Sequence, residues 1–208
     1  WIRPEIMEKV IDKLHGPDME PLTKWAAPFY FHYYTGLRSG EGYSLKWENV
    51  HLEDPENSYI VVKSTFNWRT ETITPTKTGQ ERTVDITAIR KYVLAHKLRS
   101  PEKEFVFPRD SEWQAGKATR ALRTVLEEVG YIPEKNHKGQ ELWPVFHNLR
   151  ASFCMNLLTA GTSYILTQSQ SGHKDFKSLK HYIAKLENKE TKGISHKLKP
   201  YTKSKKSG

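Results

Sequence analysis

A mainly helical α+β fold with one small antiparallel β-sheet is what this sequence predicts, and three observations carry that reading. Apolar residues recur at helical spacing through most of the 208 residues. Between about 45 and 86 the pattern changes to short β-rich runs separated by turns. Six Trp, ten Tyr and eight Phe supply large side chains for a core, although only 37% of the residues are hydrophobic.

The first helix is expected at about 4–15, where Pro4 suits a first turn, Ile6, Val10, Ile11 and Leu14 form a stripe, and Gly16-Pro17 ends it. A second, rich in aromatics, is expected at about 21–35, with a kink or break at Pro28 and a close at Gly36 that presents Arg38 just beyond it. Strands follow at about 45–50, 58–63, 69–74 and 82–86, with turns at 54–57 and 78–80. Helices resume at about 87–99, 112–129, 146–160, 163–171 and 176–187. Beyond Asn188 the chain is Lys-rich and loses its apolar period, so 1–187 reads as one domain and 188–208 as a basic tail, mobile or docked on a partner protomer.

Lys plus Arg number 33 against 24 Asp plus Glu, a net charge of +9 that favours a polyanionic partner. The single cysteine, Cys154, excludes an internal disulfide framework and fits a reducing cytoplasm. No apolar run approaches the roughly 20 residues that span a bilayer. The chain opens on Trp1, which suggests a piece of a longer protein.

The chemistry concentrates near the C-terminus, in F-H-N-L-R-A-S-F, then S-G-H, then H-Y-I. His147 and Arg150 lie three apart and so on neighbouring positions of one helix face, at the flank of a stripe made by Phe146, Leu149, Phe153 and Leu157. Taken alone, that pair is no more than a surface His and a surface Arg. His173 follows Arg150 by 23 residues and Tyr182 follows His173 by nine. On one continuous helix those nine residues would put the two side chains about half a turn out of phase. Asp175, a good N-cap, offers the break that would bring them together. Tyr182 also shares the stripe of Leu179, Ile183 and Leu186, which makes it a core tyrosine on periodicity alone. Tyr131, Tyr164 and Tyr201 are rivals that the spacing does not support. Upstream stand Arg38 in T-G-L-R-S-G-E, with Glu41 three residues on, and Lys77 at a hairpin turn, with Lys63 a rival on residue type.

As an ordered set, two arginines, two histidines, a lysine and a tyrosine suit the breaking of a phosphodiester without a metal, and no carboxylate cluster has metal-ligand spacing. The set resembles the catalytic domain of the tyrosine recombinases, the phage-integrase family, from about Leu22 to Lys185. T-G-L-R-S-G-E followed by S-L-K-W-E-N-V is similar to the family's G-L-R-x-x-E-x-x-x-L-x-W-x-x-[IV], and P-T-K-T-G-Q-E-R-T-V-D-I to its K-T-x-x-x-R-x-[IV] hairpin. Two departures stand out: the polar run Gln168-Ser169-Gln170-Ser171 replaces apolar residues before the Gly-His pair, and the stretch from Val62 to Thr74 is longer than in the shortest relatives.

The resemblance implies a site-specific DNA recombinase needing no cofactor. Tyr182 would be the nucleophile, forming a 3′-phosphotyrosyl link. Arg38 and Arg150 would hold the phosphate, Lys77 would act as general acid, His147 and His173 would assist, and Glu41 would orient the arginines. It also implies double-stranded DNA as partner and a homotetramer in the synaptic complex, the isolated fragment being monomeric. The setting would be the cytoplasm of a bacterium, encoded by a phage or mobile element. The helix at 112–129 offers Lys117, Arg120 and Arg123 as DNA contacts, a solvated charged face being the alternative. A type IB topoisomerase shares the chemistry without joining different duplexes, and a DNA-binding relative without catalysis is the other reading.

Overall fold

The computed structural model describes residues 1–76, 79–99, 101–109, 113 and 116–173. Lys77, Asp175, Tyr182, Tyr201, the expected helix at 176–187 and the basic tail therefore lie outside the described residues. The α+β class stands: seven α-helices and short antiparallel strands alternate within the described residues.

Helix α1 (Pro4–Leu14) begins with proline at its first position, where no intrahelical N–H is needed, and buries Met7, Val10, Ile11 and Leu14. Helix α2 (Ala26–Thr35) corrects the expectation at Pro28. The helix starts later than expected, so Pro28 falls in its first turn, where the backbone N–H groups have no partner anyway, and no break results. Gly36 closes α2 at φ 62, with its N–H on the His32 carbonyl at 3.0 Å. A short helix that the periodicity did not announce, α3 (Ser39–Tyr43), follows at once.

The β region is divided rather than one sheet. Strands β1 (Val50–His51), β2 (Tyr59–Val62) and β5 (Arg82–Asp85) form a three-stranded antiparallel sheet in the order β1-β2-β5. Strands β3 (Ser64–Asn67) and β4 (Thr72–Pro75) form a separate hairpin, which accounts for the long stretch after Val62. Half of the run expected as a strand at 45–50 is a turn of 3-10 helix at Trp47–Asn49. Helices α4 (Arg90–Leu98) and α5 (Lys117–Glu128) come next, then a small hairpin of β6 (Glu134–Lys135) and β7 (Glu141–Leu142). Two strands of two exposed residues each leave no alternation to read, which explains why the sequence did not reveal them.

Helices α6 (Asn148–Thr159) and α7 (Tyr164–Ser171) complete the described chain. Helix α6 packs on α2 at the centre, with α7 against α6 and β5. Its burial runs through Leu149, Arg150, Ala151, Ser152, Phe153, Cys154, Met155 and Leu158, so α6 is enclosed on nearly every side. The alternative of a surface arginine at position 150 is thereby excluded. An aromatic cluster lies beneath, in which His32 meets Phe146, Trp113 and Phe107 at ring-centroid distances of 4.7, 5.7 and 6.1 Å. No helix among the described residues is long and apolar enough to cross a membrane.

Candidate active site

Arg38 sits between α2 and α3, held there by the αL turn at Gly36 and by a carboxylate three residues on. Glu41 accepts four hydrogen bonds. Oε1 takes Arg38 Nη1 at 2.8 Å and Arg82 Nη1 at 3.0 Å, while Oε2 takes the Arg38 backbone N–H at 2.8 Å and Arg82 Nη2 at 2.7 Å. The side chain is 2% exposed. Burial pushes its pKa up, but the hydrogen bonds and charge of Arg82, with Arg38 behind, outweigh that and hold it at about 2. Glu41 is thus ionised at neutral pH and stands as a post between two guanidiniums.

The end of α7 reaches this post from the other side. Arg38 Nη2 donates to the Gly172 carbonyl at 3.0 Å, across 134 positions of sequence. Gly172 caps α7 at φ 68, and a Cβ there would lie 2.8 Å from the Cδ and Nε of Arg82. The glycine of the Gly-His pair therefore serves both the left-handed cap and the close approach of an arginine.

Arg150 enters from α6 and is 1% exposed. Its Nη1 donates to the Gly36 carbonyl at 2.6 Å, whereas Nε and Nη2 have no hydrogen-bond partner among the described residues. Burial, reinforced by Arg38, lowers its pKa to about 10, so the guanidinium stays charged at neutral pH. A buried cation with two unsatisfied donors is costly, and an anion is what relieves it.

The two histidines flank this cation pair. His147 stands at the start of α6, exposed, its pKa drawn down by partial enclosure of the ring and by the charges of Arg150 and Arg38. Together with Leu37, Ser39 and Trp68 it borders a cavity of about 440 Å³. His173 follows Gly172, its pKa lowered to about 3 by burial first and then by Arg150, Arg38, His147 and Arg82. It is a neutral imidazole at pH 7. Ser171 Oγ donates to the Thr167 carbonyl at 2.6 Å and meets His173 Nδ1 at 2.8 Å. With the hydroxyl proton committed, Nδ1 must carry the ring proton and Nε2 is the acceptor nitrogen.

The polar run before Gly-His has its explanation here. Gln168 Nε2 donates to the His173 carbonyl at 3.1 Å, and Gln170 Oε1 accepts the Asp85 N–H at 2.9 Å. The Gln170 carbonyl accepts from Arg82 Nε at 3.2 Å. Hydrogen bonds replace apolar packing where α7 leans on β5.

Arg38, Glu41, Arg150, His147 and His173 are thus brought together, while Lys77 and Tyr182 fall outside the described residues. Lys63 is exposed between β2 and β3. Of the rival tyrosines, Tyr131 packs on Trp143 at 5.9 Å and Tyr164 starts α7. On α5, Lys117, Arg120 and Arg123 are exposed as expected. Arg123 is engaged, though, with Nε on Glu127 at 2.8 Å and its head 4.6 Å from the Trp143 ring. The residue that sequence reasoning missed is Arg82. It stands in the quoted K-T-G-Q-E-R segment, and its spacing from the lysine was the available signal.

Comparison with known proteins agrees with this geometry. The sequence matches the model of the phage integrase family over residues 1–189. The chain belongs to the phage integrase family. Its fold is shared with solved tyrosine recombinases. The Tn1549 transposon integrase bound to transposon right-end DNA superposes with a TM-score of 0.65 at 16% identity, covering 90% of this chain and 65% of that one. The XerH site-specific recombinase in a post-cleavage complex with a palindromic difH substrate gives 0.59 at 21% identity, covering 89% and 51%. A lambda integrase dimer bound to a COC′ core site gives 0.55 at 16% identity, covering 87% and 47%. The chain thus spans less than two thirds of the length of these three proteins. No curated protein matches it in sequence.

Proposed function

We propose that this chain carries the catalytic centre of a site-specific DNA recombinase, which cleaves and rejoins double-stranded DNA through a covalent 3′-phosphotyrosyl intermediate in the integration or excision of a phage or mobile element. The observation that carries the reading is the buried Arg150, whose Nε and Nη2 have no partner among the described residues, beside an Arg38 braced by Glu41 and Gly172. Such a pair is a preformed receptor for the non-bridging oxygens of a phosphodiester, whose negative charge grows on attack.

Tyr182 supplies the nucleophile. Its oxygen attacks phosphorus, the P–O5′ bond breaks, and the 5′ oxygen leaves. A free phenol has a pKa of about 10, so the tyrosine proton needs an acceptor, and His173 Nε2 can take it once a bound phosphate offsets the arginine charges that hold the imidazole pKa down. Lys77 donates a proton to the leaving 5′ oxygen. The phosphotyrosyl bond conserves the energy of the broken link, so a free 5′ hydroxyl reverses the reaction. If that hydroxyl comes from another duplex, the strands have recombined, and a homotetramer is the assembly that would hold two duplexes together.

The test uses the full-length protein and a nicked suicide duplex bearing its own site. Wild type is expected to form a denaturant-resistant protein–DNA adduct and Tyr182→Phe none. An adduct with Tyr182→Phe removes that nucleophile; no adduct from wild type on DNA it binds removes the enzymatic reading. Relaxation of supercoils without strand exchange would place the protein with type IB topoisomerases instead.

A further inference from the structure

Arg82 has no part in the chemistry above, yet it ties three elements of the described site together: β5, which carries it, α3 through Glu41 and α7 through the Gln170 carbonyl. It projects from the first position of β5, 11% exposed, with both terminal nitrogens on the two oxygens of Glu41 and Nε on the Gln170 carbonyl. Its head fills the space beneath Gly172, where a Cβ would collide with it. We propose that Arg82 is a positioning residue for strand cleavage: by gripping Glu41 and the end of α7 together, it sets where Arg38 and His173 meet the scissile phosphate.

The argument rests on how donors and acceptors are shared. A carboxylate alone with Arg38 would draw that guanidinium into a two-point pair, spending its fork on Glu41. With Arg82 occupying one position on each oxygen, the Arg38 head is left with a single hydrogen bond to Glu41, through Nη1, and Nη2 turns to Gly172. Two of the five guanidinium N–H groups are thereby committed to protein acceptors. The same Arg82 head carries α7, and with it His173. A lysine could supply the charge but could not span both carboxylate oxygens and a carbonyl with one planar fork.

This rests on the proposed recombinase reading, and the experiment separates the two. In the full-length protein, Arg82→Gln and Arg82→Lys are compared with wild type in single-turnover adduct formation at saturating protein, across pH. DNA affinity is measured separately on the same site, and the Glu41 carboxyl is titrated by carbon NMR. Arg82→Gln is expected to lower the saturating rate about 100-fold while DNA affinity changes less than about threefold, and Arg82→Lys to recover about tenfold of the loss. The Glu41 titration should move upward in both variants, and the acidic limb of the rate profile should move with it. A mere brace between β5 and α7 would lower the melting temperature and leave the saturating rate and its acidic limb in place. The proposal is overturned if the saturating rate stays within about threefold of wild type, if the loss lies wholly in DNA affinity, or if the Glu41 titration is unmoved. Should Arg82→Gln fail to fold, the rate and titration of Arg82→Lys decide. If wild type itself forms no adduct, the recombinase reading falls, and the Glu41 titration still decides whether Arg82 sets the state of that carboxyl.

Discussion

The floor of the site and the polar face of α5 use the same residue type and hold it in opposite ways. Arg150 is 1% exposed, with Nη1 fixed on Gly36 and with Nε and Nη2 lacking a partner among the described residues; Arg38 and Arg82 share a carboxylate that is itself buried. On α5, Arg120 and Arg123 stand in solvent, and Arg123 already has Glu127 and Trp143 for neighbours. Charge that must meet a transition state is held by buried hydrogen bonds, so that nothing reorganises when the reaction occurs. Charge that only attracts a polyanion gains little from fixed geometry and is left on flexible, hydrated side chains.

The contrast breaks most sharply at Arg150. Arg150→Met should lower adduct formation by about 100–1,000-fold while leaving the melting temperature unchanged or raised, because a buried cation with unsatisfied donors gives way to an apolar side chain of similar length. Scanning calorimetry beside the adduct assay checks both halves. A marked fall in melting temperature would make Arg150 a structural element and dissolve the contrast.

Next comes the turn that carries Arg38. Gly36→Ala places a Cβ against Phe153 at φ 62, and should cost about 3 kcal/mol in urea denaturation through the clash and the left-handed backbone together. Gly116→Ala, at φ 73 before α5 with open space around it, should cost only about 1 kcal/mol. Equal losses would mean that backbone strain alone, and not close packing beneath the site, distinguishes the two regions.

Acid should act on the site floor and spare α5. Burial lowers the His32 pKa to about 4, against the hydrogen bond that its Nδ1–H donates to the Pro28 carbonyl, and that of His173 lies at about 3. For a group whose folded pKa is depressed, the unfolded chain binds more protons, so stability is lost as pH falls below the unfolded value toward the folded one. Both histidines thus predict a decline beginning near their ordinary pKa of 6.5 and continuing to about 4 and 3, with Glu41 adding a further loss from 4.5 down to about 2. His32→Asn should flatten the upper part of that decline by about 2 kcal/mol in denaturation measured at pH 7 and pH 4.5. An unchanged slope would remove His32 as its source.

The smallest effects belong to α5. Lys117→Ala and Arg120→Ala should each weaken DNA binding evenly across sequences and reduce the slope of log affinity against log salt by about 1. Arg123→Ala should change the slope less, because its charge is already met by Glu127. A slope that stays constant in all three variants would make this face a solvated surface with no DNA on it.

Helix α1 and the close at Gly36 were legible because each rests on a local signal, an apolar period and a capping glycine, whereas Arg38, His147, Arg150 and His173 stood out only as an ordered set whose spacing resembles that of a known family. The β region was half legible. Residues 59–62 are a run of β-formers that marks a strand, whereas 64–67 pair only with 72–75 of their own hairpin and carry no such run past Ser64 and Thr65. Pro28 misled because a proline's effect depends on which turn of the helix it occupies, and that depends on where packing lets the helix start.

By itself, the sequence determined which charges this protein possesses and the order in which they come, since side-chain chemistry and helical spacing are local properties. Only the tertiary structure decided what those charges do to one another. Arg82 lies 41 positions from Glu41 and 88 from Gln170, Arg38 lies 134 from Gly172, and Arg150 lies 114 from Gly36. Whether an arginine ends as a solvated charge or as a buried donor awaiting an anion is set by what folds over it, and no period in the sequence records that.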